Sequence, residues 1–62
     1  MTIRTLSNYI LSNQYIRISS HEEDKVYFEG VKHNLPMIPE IRNLPVYYIT
    51  TYQEIMEIVV DD

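Results

Sequence analysis

The chain has 62 residues, a mass of 7.4 kDa and no cysteine. A chain of this length predicts a single domain over residues 1–62, and a domain of about 60 residues buries only about 60% of the surface that its unfolded form exposes. Because cysteine is absent, disulfides and thiolate zinc sites are excluded, and any further stability must come from packing, self-association or a partner.

The formal charge of −4 at pH 7 argues against direct binding to nucleic acid. Such binding takes its affinity from Lys and Arg side chains that neutralise phosphates, whereas the five basic residues here are scattered singly along the chain. No apolar stretch approaches the roughly 20 residues of a membrane span. We therefore expect a cytoplasmic protein that contacts neither nucleic acid nor a membrane.

The N-terminal segment predicts one short amphipathic helix. Leu6, Tyr9 and Ile10 fall at helical spacing, with Ile3 one turn earlier, so their side chains share one stripe. A threonine at position 2 or 5 can cap the start of this helix. Asn13 can adopt the left-handed conformation that ends it.

A first hairpin follows, in which the sequence period changes from 3.6 to 2. Residues 14–20 alternate polar and apolar side chains, and so do residues 25–30. The polar, acidic segment between the two strands predicts a turn at residues 21–24. The apolar residues that share one face of these strands are Ile16, Ile18, Val26 and Phe28.

The next stretch, residues 31–45, predicts a connection and not a central strand. It follows Gly30, the only glycine, and carries all three prolines, which cannot donate a ladder hydrogen bond. Pro39 suits the first position of one short helical turn that Asn43 ends.

A second hairpin is predicted at the C-terminus. Residues 46–51 are rich in β-branched and aromatic side chains, which favour a strand. Alternation over residues 56–60 favours a fourth strand, with the turn at residues 52–54. A helix there is the alternative, because residues 51–54 match a capping box and a helical apolar stripe follows them.

The predicted fold class is therefore α+β. One N-terminal helix packs on a small antiparallel sheet of two β-hairpins, and a proline-containing connection joins the hairpins. The inward phase of each element predicts a core of Ile10, Ile16, Ile18, Val26, Phe28, Ile49 and Ile58.

Catalytic and metal-binding chemistry is not encoded in any motif. The only histidines, His21 and His33, match no zinc spacing. Ser19 and Ser20 adjoin His21 in an expected exposed turn, where no pocket excludes water. A single glycine also rules out a glycine-rich phosphate loop. We expect no catalytic residue, no metal, no cofactor and no enzymatic activity.

The six tyrosines indicate an interaction surface. Tyrosine gives a large, rigid contact area and is enriched at binding hot spots. Tyr15 and Tyr27 lie opposite the core-facing phase of their strands, and alternation sends Tyr47 and Tyr48 to different faces. The alternative is that the tyrosines simply pair across a half-exposed sheet. The predicted partner-binding residues are Tyr15, Tyr27, Glu22, Glu23, Asp24, Glu29 and Tyr47.

The layout resembles the small proteins of uncharacterised role that are common in phages and prophages of Gram-positive bacteria. The likeness lies in the order of elements, in Tyr15-Ile16-Arg17-Ile18, Tyr27-Phe28-Glu29-Gly30 and Leu35-Pro36, and in the apolar C-terminus. It implies a phage accessory role, in which a small acidic protein binds and disables a host defence protein, as anti-CRISPR or anti-restriction proteins do. The resemblance brings no catalytic or ligand-binding residue with it.

Two functions follow as hypotheses. The first is a non-enzymatic inhibitor that binds a basic, nucleic-acid-handling surface of a host protein. Glu22 and Asp24, two apart on an extended segment, stand about 6.6 Å from each other, a spacing loosely compatible with phosphates. The alternative is a structural or regulatory protein that works as a homo-oligomer, for example a homodimer, through an edge strand or the uncovered sheet face.

Overall fold

The computed structural model describes residues 1–62, and its core element is a four-stranded sheet with helical segments packed on one face. Both predicted hairpins are present, and the C-terminal segment is a strand, as the alternation favoured. In chain order the elements are α1 (Ile3–Ser7), β1 (Tyr15–Ser20), β2 (Val26–Val31), a 3-10 turn (Lys32–Asn34), α2 (Pro39–Arg42), β3 (Val46–Tyr52) and β4 (Ile55–Val60).

The α+β prediction is confirmed, and the structure adds how the hairpins join. The strand order is β2-β1-β4-β3, with antiparallel pairing inside each hairpin and parallel pairing between β1 and β4. The sheet is thus mixed rather than wholly antiparallel. Parallel neighbours need a long crossover connection, and here β2, α2 and β3 together supply it.

The helix α1 begins where a threonine caps it but ends earlier than expected. The Thr2 side chain accepts a hydrogen bond from the Thr5 amide at 3.4 Å. The helix stops at Ser7, and the amides of Tyr9 and Ile10 donate to carbonyls three residues back. Asn13 does not adopt a left-handed conformation, so that part of the prediction is wrong. The turn keeps Ile10 buried without further helix.

The core lies between the helical segments and the covered face of the sheet, called here the inner face. Ile16 and Ile18 on the central strand β1 are fully buried, and Ile58 on β4 is next to Ile18. The buried cluster consists of Ile3, Leu6, Ile10, Ile16, Ile18, Leu35, Ile41, Ile58 and Val60, with Phe28 partly buried against it.

Val26 is not a core residue, because a β-bulge changes the phase of β2. Phe28 pairs with Ile18, but Val26 pairs with Ser19, so one extra residue, Tyr27, is inserted between them. A bulge of this kind shifts the alternation of every residue beyond it. Val26 is consequently exposed.

Ile49 is also outside the core, for a different reason. Its register partner is the buried Ile58, so it has the inward phase that the sequence predicts. However, β3 is the last strand of the sheet and Ile49 remains 41% exposed. The short helical segments are too small to cover this edge.

The turn between β3 and β4 is a tight two-residue turn. Gln53 and Glu54 have φ values of 48° and 68°, which is the pattern of a type I′ hairpin turn. The Gln14 side chain donates to the carbonyl of Glu54 at 2.8 Å and to that of Tyr15 at 2.9 Å. These bonds tie the turn to the start of β1.

None of the helices has the length and apolar character that a membrane crossing requires.

Candidate protein-binding surface

The face of the sheet opposite the helices, called here the outer face, has no element packed on it. A row of polar residues crosses its middle, one from each strand at paired positions. This row consists of Glu29, Arg17, Glu57 and Thr50 in order across β2, β1, β4 and β3.

Arg17 joins the two carboxylates of this row. Its Nη1 atom donates to Glu57 Oε2 at 3.1 Å, and its Nε atom lies 3.9 Å from Glu29 Oε1. The Nε–H is shielded from solvent and makes no hydrogen bond. One guanidinium between two carboxylates leaves the row with one net negative charge and holds all three side chains in place.

Aromatic and apolar side chains border the row on the side of the β3–β4 turn. Tyr15 pairs with Ile55, which pairs in turn with Tyr52. The Tyr15 hydroxyl donates to Glu29 Oε2 at 3.3 Å. Desolvation, followed by the charge and the hydrogen bond of Glu29, raises the pKa of Tyr15.

A shallow depression of about 240 Å³ opens on the same part of the outer face. Both charged side chains and an aromatic and an apolar side chain line it. Tyr52 in this lining is 70% exposed, so a large part of the residue is free for contact. The lining residues are Arg17, Glu29, Tyr52, Ile55 and Glu57.

On the other side of the row, aromatic rings lead to the first hairpin turn. Tyr48 pairs with Val59, which is buried but is not part of the core cluster. The Tyr48 ring lies edge-on to that of Tyr47, with the ring centroids 5.6 Å apart. The Tyr47 ring in turn packs against the ring of His21, with the two centroids 4.0 Å apart. These rings connect the outer face to the turn that follows β1.

Acidic residues gather at that end of the molecule. Ser20 Oγ accepts a hydrogen bond from the Glu23 amide at 2.9 Å and donates to Asp62 Oδ1 at 2.6 Å. These bonds bring the C-terminal residues to the hairpin turn, so five of the nine carboxylates lie at one end. The acidic end, as we call it, consists of Glu22, Glu23, Asp24, Asp61 and Asp62, and its turn residues are exposed.

The strand phase predicted that Tyr27 would lie with Tyr15 on the outer face, and this prediction is wrong. The bulge turns its ring toward the core, where it is partly buried, and Lys25 Nζ lies 4.4 Å from its centroid. Its hydroxyl donates to Asp62 Oδ2. This hydrogen bond, more than desolvation, raises the pKa of Tyr27 to about 12. The Tyr27 hydroxyl therefore helps to hold the acidic end together.

The structure thus brings together most, but not all, of the residues that the sequence predicts for binding. Tyr15 and Glu29 are hydrogen-bonded neighbours on the outer face, and Tyr47 adjoins the exposed turn acids. Sequence reasoning missed residues whose placement depends on register or on the chain end. These are Arg17, Tyr48, Tyr52, Glu57, Asp61 and Asp62; alternation within β3 was the one available signal for Tyr48 and Tyr52.

Side chains that could bind a metal ion do not converge, since no group of three or more His, Asp or Glu residues has suitable geometry. Ser20 Oγ bonds to Asp62 and to a backbone amide, not to His21.

Comparison with protein-family models, curated proteins and solved structures finds no match for the chain. The features of this chain that bear on its function are therefore its own outer face and acidic end.

Proposed function

We propose that this protein is a non-enzymatic binding module that docks its outer face and acidic end on a basic surface of a partner protein. The observation that carries the proposal is the bare outer face, which presents exposed tyrosines around an ion-paired row. Through the ring contacts from Tyr48 to His21, this face is continuous with the acidic end.

The tyrosines suit the centre of such an interface. Tyr15, Tyr48 and Tyr52 are at least 39% exposed and stand on paired strands, which hold their backbones rigidly. Rigid aromatic groups lose little conformational entropy on binding and carry much of the affinity at interfaces. Arg17, already bonded to Glu57, needs no reorganisation to be covered.

The charge distribution supports a basic partner. The chain has a net charge of −4, and more than half of its carboxylates lie at the acidic end. Clustered charge steers a complementary partner and raises the association rate. A groove that binds nucleic acid is a basic surface of this kind. The resemblance to phage proteins makes a host defence protein, in the host cytoplasm, the partner class that we propose.

Kinetic measurements on a purified partner test the proposal. The partner is isolated by affinity capture with the native chain, and its binding rates are measured at several salt concentrations. Reversing Glu22, Glu23 and Asp24 to lysine should slow association and flatten its salt dependence. Tyr48→Ala and Tyr15→Ala should speed dissociation and weaken binding by about 2 kcal/mol each, as for central contacts.

Matched controls come from exposed residues away from the outer face. Tyr9 is 79% exposed after α1, so Tyr9→Ala removes an exposed ring without touching the outer face. For charge, Glu22→Lys is also measured alone, and Glu40→Lys on α2 is its control, because both side chains are exposed. If the outer-face and turn variants bind as well as these controls, the proposed surface is not the interface.

A further inference from the structure

The free edge of β3 is uncovered over most of its length. The N-terminal residues cover only its beginning, where Thr2 bridges Pro45 and the Val46 amide donates to the Met1 carbonyl at 2.8 Å. From Tyr47 to Tyr52 no strand lies beside this edge. A backbone segment with unpaired donors and acceptors is a template for another strand.

Antiparallel geometry identifies which backbone groups of β3 are unpaired. The two-residue turn makes Tyr52 and Ile55 the closing hydrogen-bonded pair. Hydrogen-bonded and non-hydrogen-bonded pairs then alternate along the ladder. Tyr48 and Thr50 consequently bond to β4, while Ile49 and Thr51 direct both their N–H and C=O groups to the free edge.

The side chains of this edge do nothing to repel another strand. The segment Tyr48–Tyr52 contains no charged residue, no proline and no glycine. It is also regular: β3 has a bulge of its own, but that bulge lies between Val46 and Tyr48, and the turn comes directly after Tyr52. Natural edge strands usually carry charges, prolines or bulges that block pairing.

We infer that this edge pairs with the same edge of a second copy of the chain, antiparallel and symmetric about Thr50. In this register Ile49 faces Thr51 of the second copy, so the residues with unpaired backbone groups meet and exchange four hydrogen bonds. Tyr48 then stands opposite Tyr52 of the second copy, and the two Thr50 residues stand opposite each other.

The side chains match as well as the backbone does. Tyr48, Thr50 and Tyr52 share the outer face, so the pairing creates two aromatic cross-strand pairs and a threonine pair on that side. Such pairs stabilise antiparallel strands. On the inner face, Ile49 is 41% exposed in the single chain and gains a neighbour. The product is a continuous eight-stranded sheet with a doubled outer face.

Charge selects the antiparallel arrangement. Each chain carries a net charge of −4. Its acidic end lies beside Tyr47, whose ring centroid is 4.0 Å from that of His21 at the start of the turn. Tyr47 is about 10 Å along the strand from Thr50, so the symmetry places the two acidic ends about 20 Å apart. This separation exceeds the Debye length of about 8 Å at physiological salt. Parallel pairing would put the acidic ends side by side.

Cross-linking tests the register directly. The chain has no cysteine, so Thr50→Cys introduces a single thiol at the proposed symmetry axis. Residues opposite each other in a non-hydrogen-bonded pair lie within the distance that a disulfide spans. Air oxidation should convert Thr50→Cys to a covalent dimer much faster than Thr5→Cys, because Thr5 on α1 is also exposed but lies away from the β3 edge. Equal rates would overturn the register.

Sedimentation of the charged variants tests the dimer itself. The native chain should sediment with twice the 7.4 kDa mass of one copy at high concentration. Thr50→Lys places like charges opposite each other and should raise the dimer dissociation constant about tenfold or more. Thr5→Lys, with the same charge change, should not.

Mixing Thr50→Lys with Thr50→Glu should restore the dimer as a heterodimer, since opposite charges then face each other. A native chain that stays monomeric at about 1 mM, or a dimer that Thr50→Lys leaves intact, would overturn the inference. Neither result bears on the proposed basic partner, because these measurements need the purified chain alone.

Discussion

The edge strands of the two hairpins differ in regularity and in charge. In the first, the edge strand β2 has a bulge and holds Glu29 beside Arg17, and Lys25, just before the strand, lies against the ring of Tyr27. In the second, the edge strand β3 ends in a two-residue turn and carries no charge between Tyr48 and Tyr52. The first edge is irregular and charged, whereas the second has its own bulge only between Val46 and Tyr48 and is regular and neutral from Tyr48 to Tyr52.

This difference shows how a very small domain can discourage pairing at one sheet edge and leave the other edge suited to it. Bulges and charges discourage a further strand at β2, whereas β3 keeps the geometry that a further strand needs. The open edge adjoins the outer face, so both proposed interactions use the same half of the sheet. The β2 strand instead ties the first hairpin to the C-terminus through the hydrogen bond from Tyr27 to Asp62.

The largest expected effect separates a central strand from the open edge. Ile18→Ala removes a fully buried side chain of β1 and should lower the free energy of unfolding by about 2–5 kcal/mol. Ile49→Ala on β3 should cost less than about 1.5 kcal/mol, because its side chain is half exposed. Urea unfolding at a concentration where the chain is monomeric measures both. Equal losses would show that the two strands are equally packed.

The next effect concerns Gly30, on the irregular edge. Its φ of 155° favours glycine, and a Cβ atom there would lie 3.3 Å from Cζ of Phe28. Gly30→Ala should therefore cost about 1–3 kcal/mol in unfolding free energy. Phe28→Leu, combined with Gly30→Ala in a double-mutant cycle, should recover the part that comes from the ring contact. Additive losses would mean that the backbone conformation alone requires glycine.

A gain in stability is expected at the tight turn of the second hairpin. Gln53 and Glu54 both have positive φ, which non-glycine residues adopt at a cost. Replacing them by Asn-Gly, the preferred type I′ pair, should raise the unfolding free energy by about 1 kcal/mol. Glu23→Gly in the first turn, where φ is not positive, should lower it by a few tenths to about 1 kcal/mol. Thermal melts of both variants provide the comparison.

The smallest expected effect is the pH dependence of the acidic end. Hydrogen bonds from Ser20 and then Tyr27, together with Lys25, hold the pKa of Asp62 below its ordinary value of 3.8. Because the folded pKa is lowered, the stabilisation is present above that ordinary value and is lost as the pH falls through the folded pKa.

Tyr27 has the opposite sign. Its pKa is raised from 10.0 to about 12, so its contribution is complete below pH 10 and disappears as the pH rises toward 12. Asp62→Asn should flatten the dependence of the melting temperature on pH in the acidic range, while Asp61→Asn serves as the control. Identical profiles for the native chain and Asp62→Asn would show that the hydrogen bonds at the acidic end contribute nothing to stability.

Local periodicity was enough to predict the α+β class, both hairpins and the central core residues. Ile16 and Ile18 alternate with polar neighbours, and a residue's face in an uninterrupted strand depends only on its position. The same rule failed at Val26 and Tyr27, where a bulge adds one residue and reverses the phase. A bulge depends on the partner strand, so one strand's sequence does not reveal it.

The sequence by itself determined which residues can form strands, where the turns fall and that the chain is acidic and rich in tyrosine, because these properties belong to single residues and short segments. Only the tertiary structure decided the parallel pairing of β1 with β4. That pairing aligns Arg17 with Glu57, while the β1–β2 register sets Glu29 on its other side. Strand order also decided that β2 and β3 lie at the edges of the sheet, because contacts between distant segments depend on how the whole chain packs.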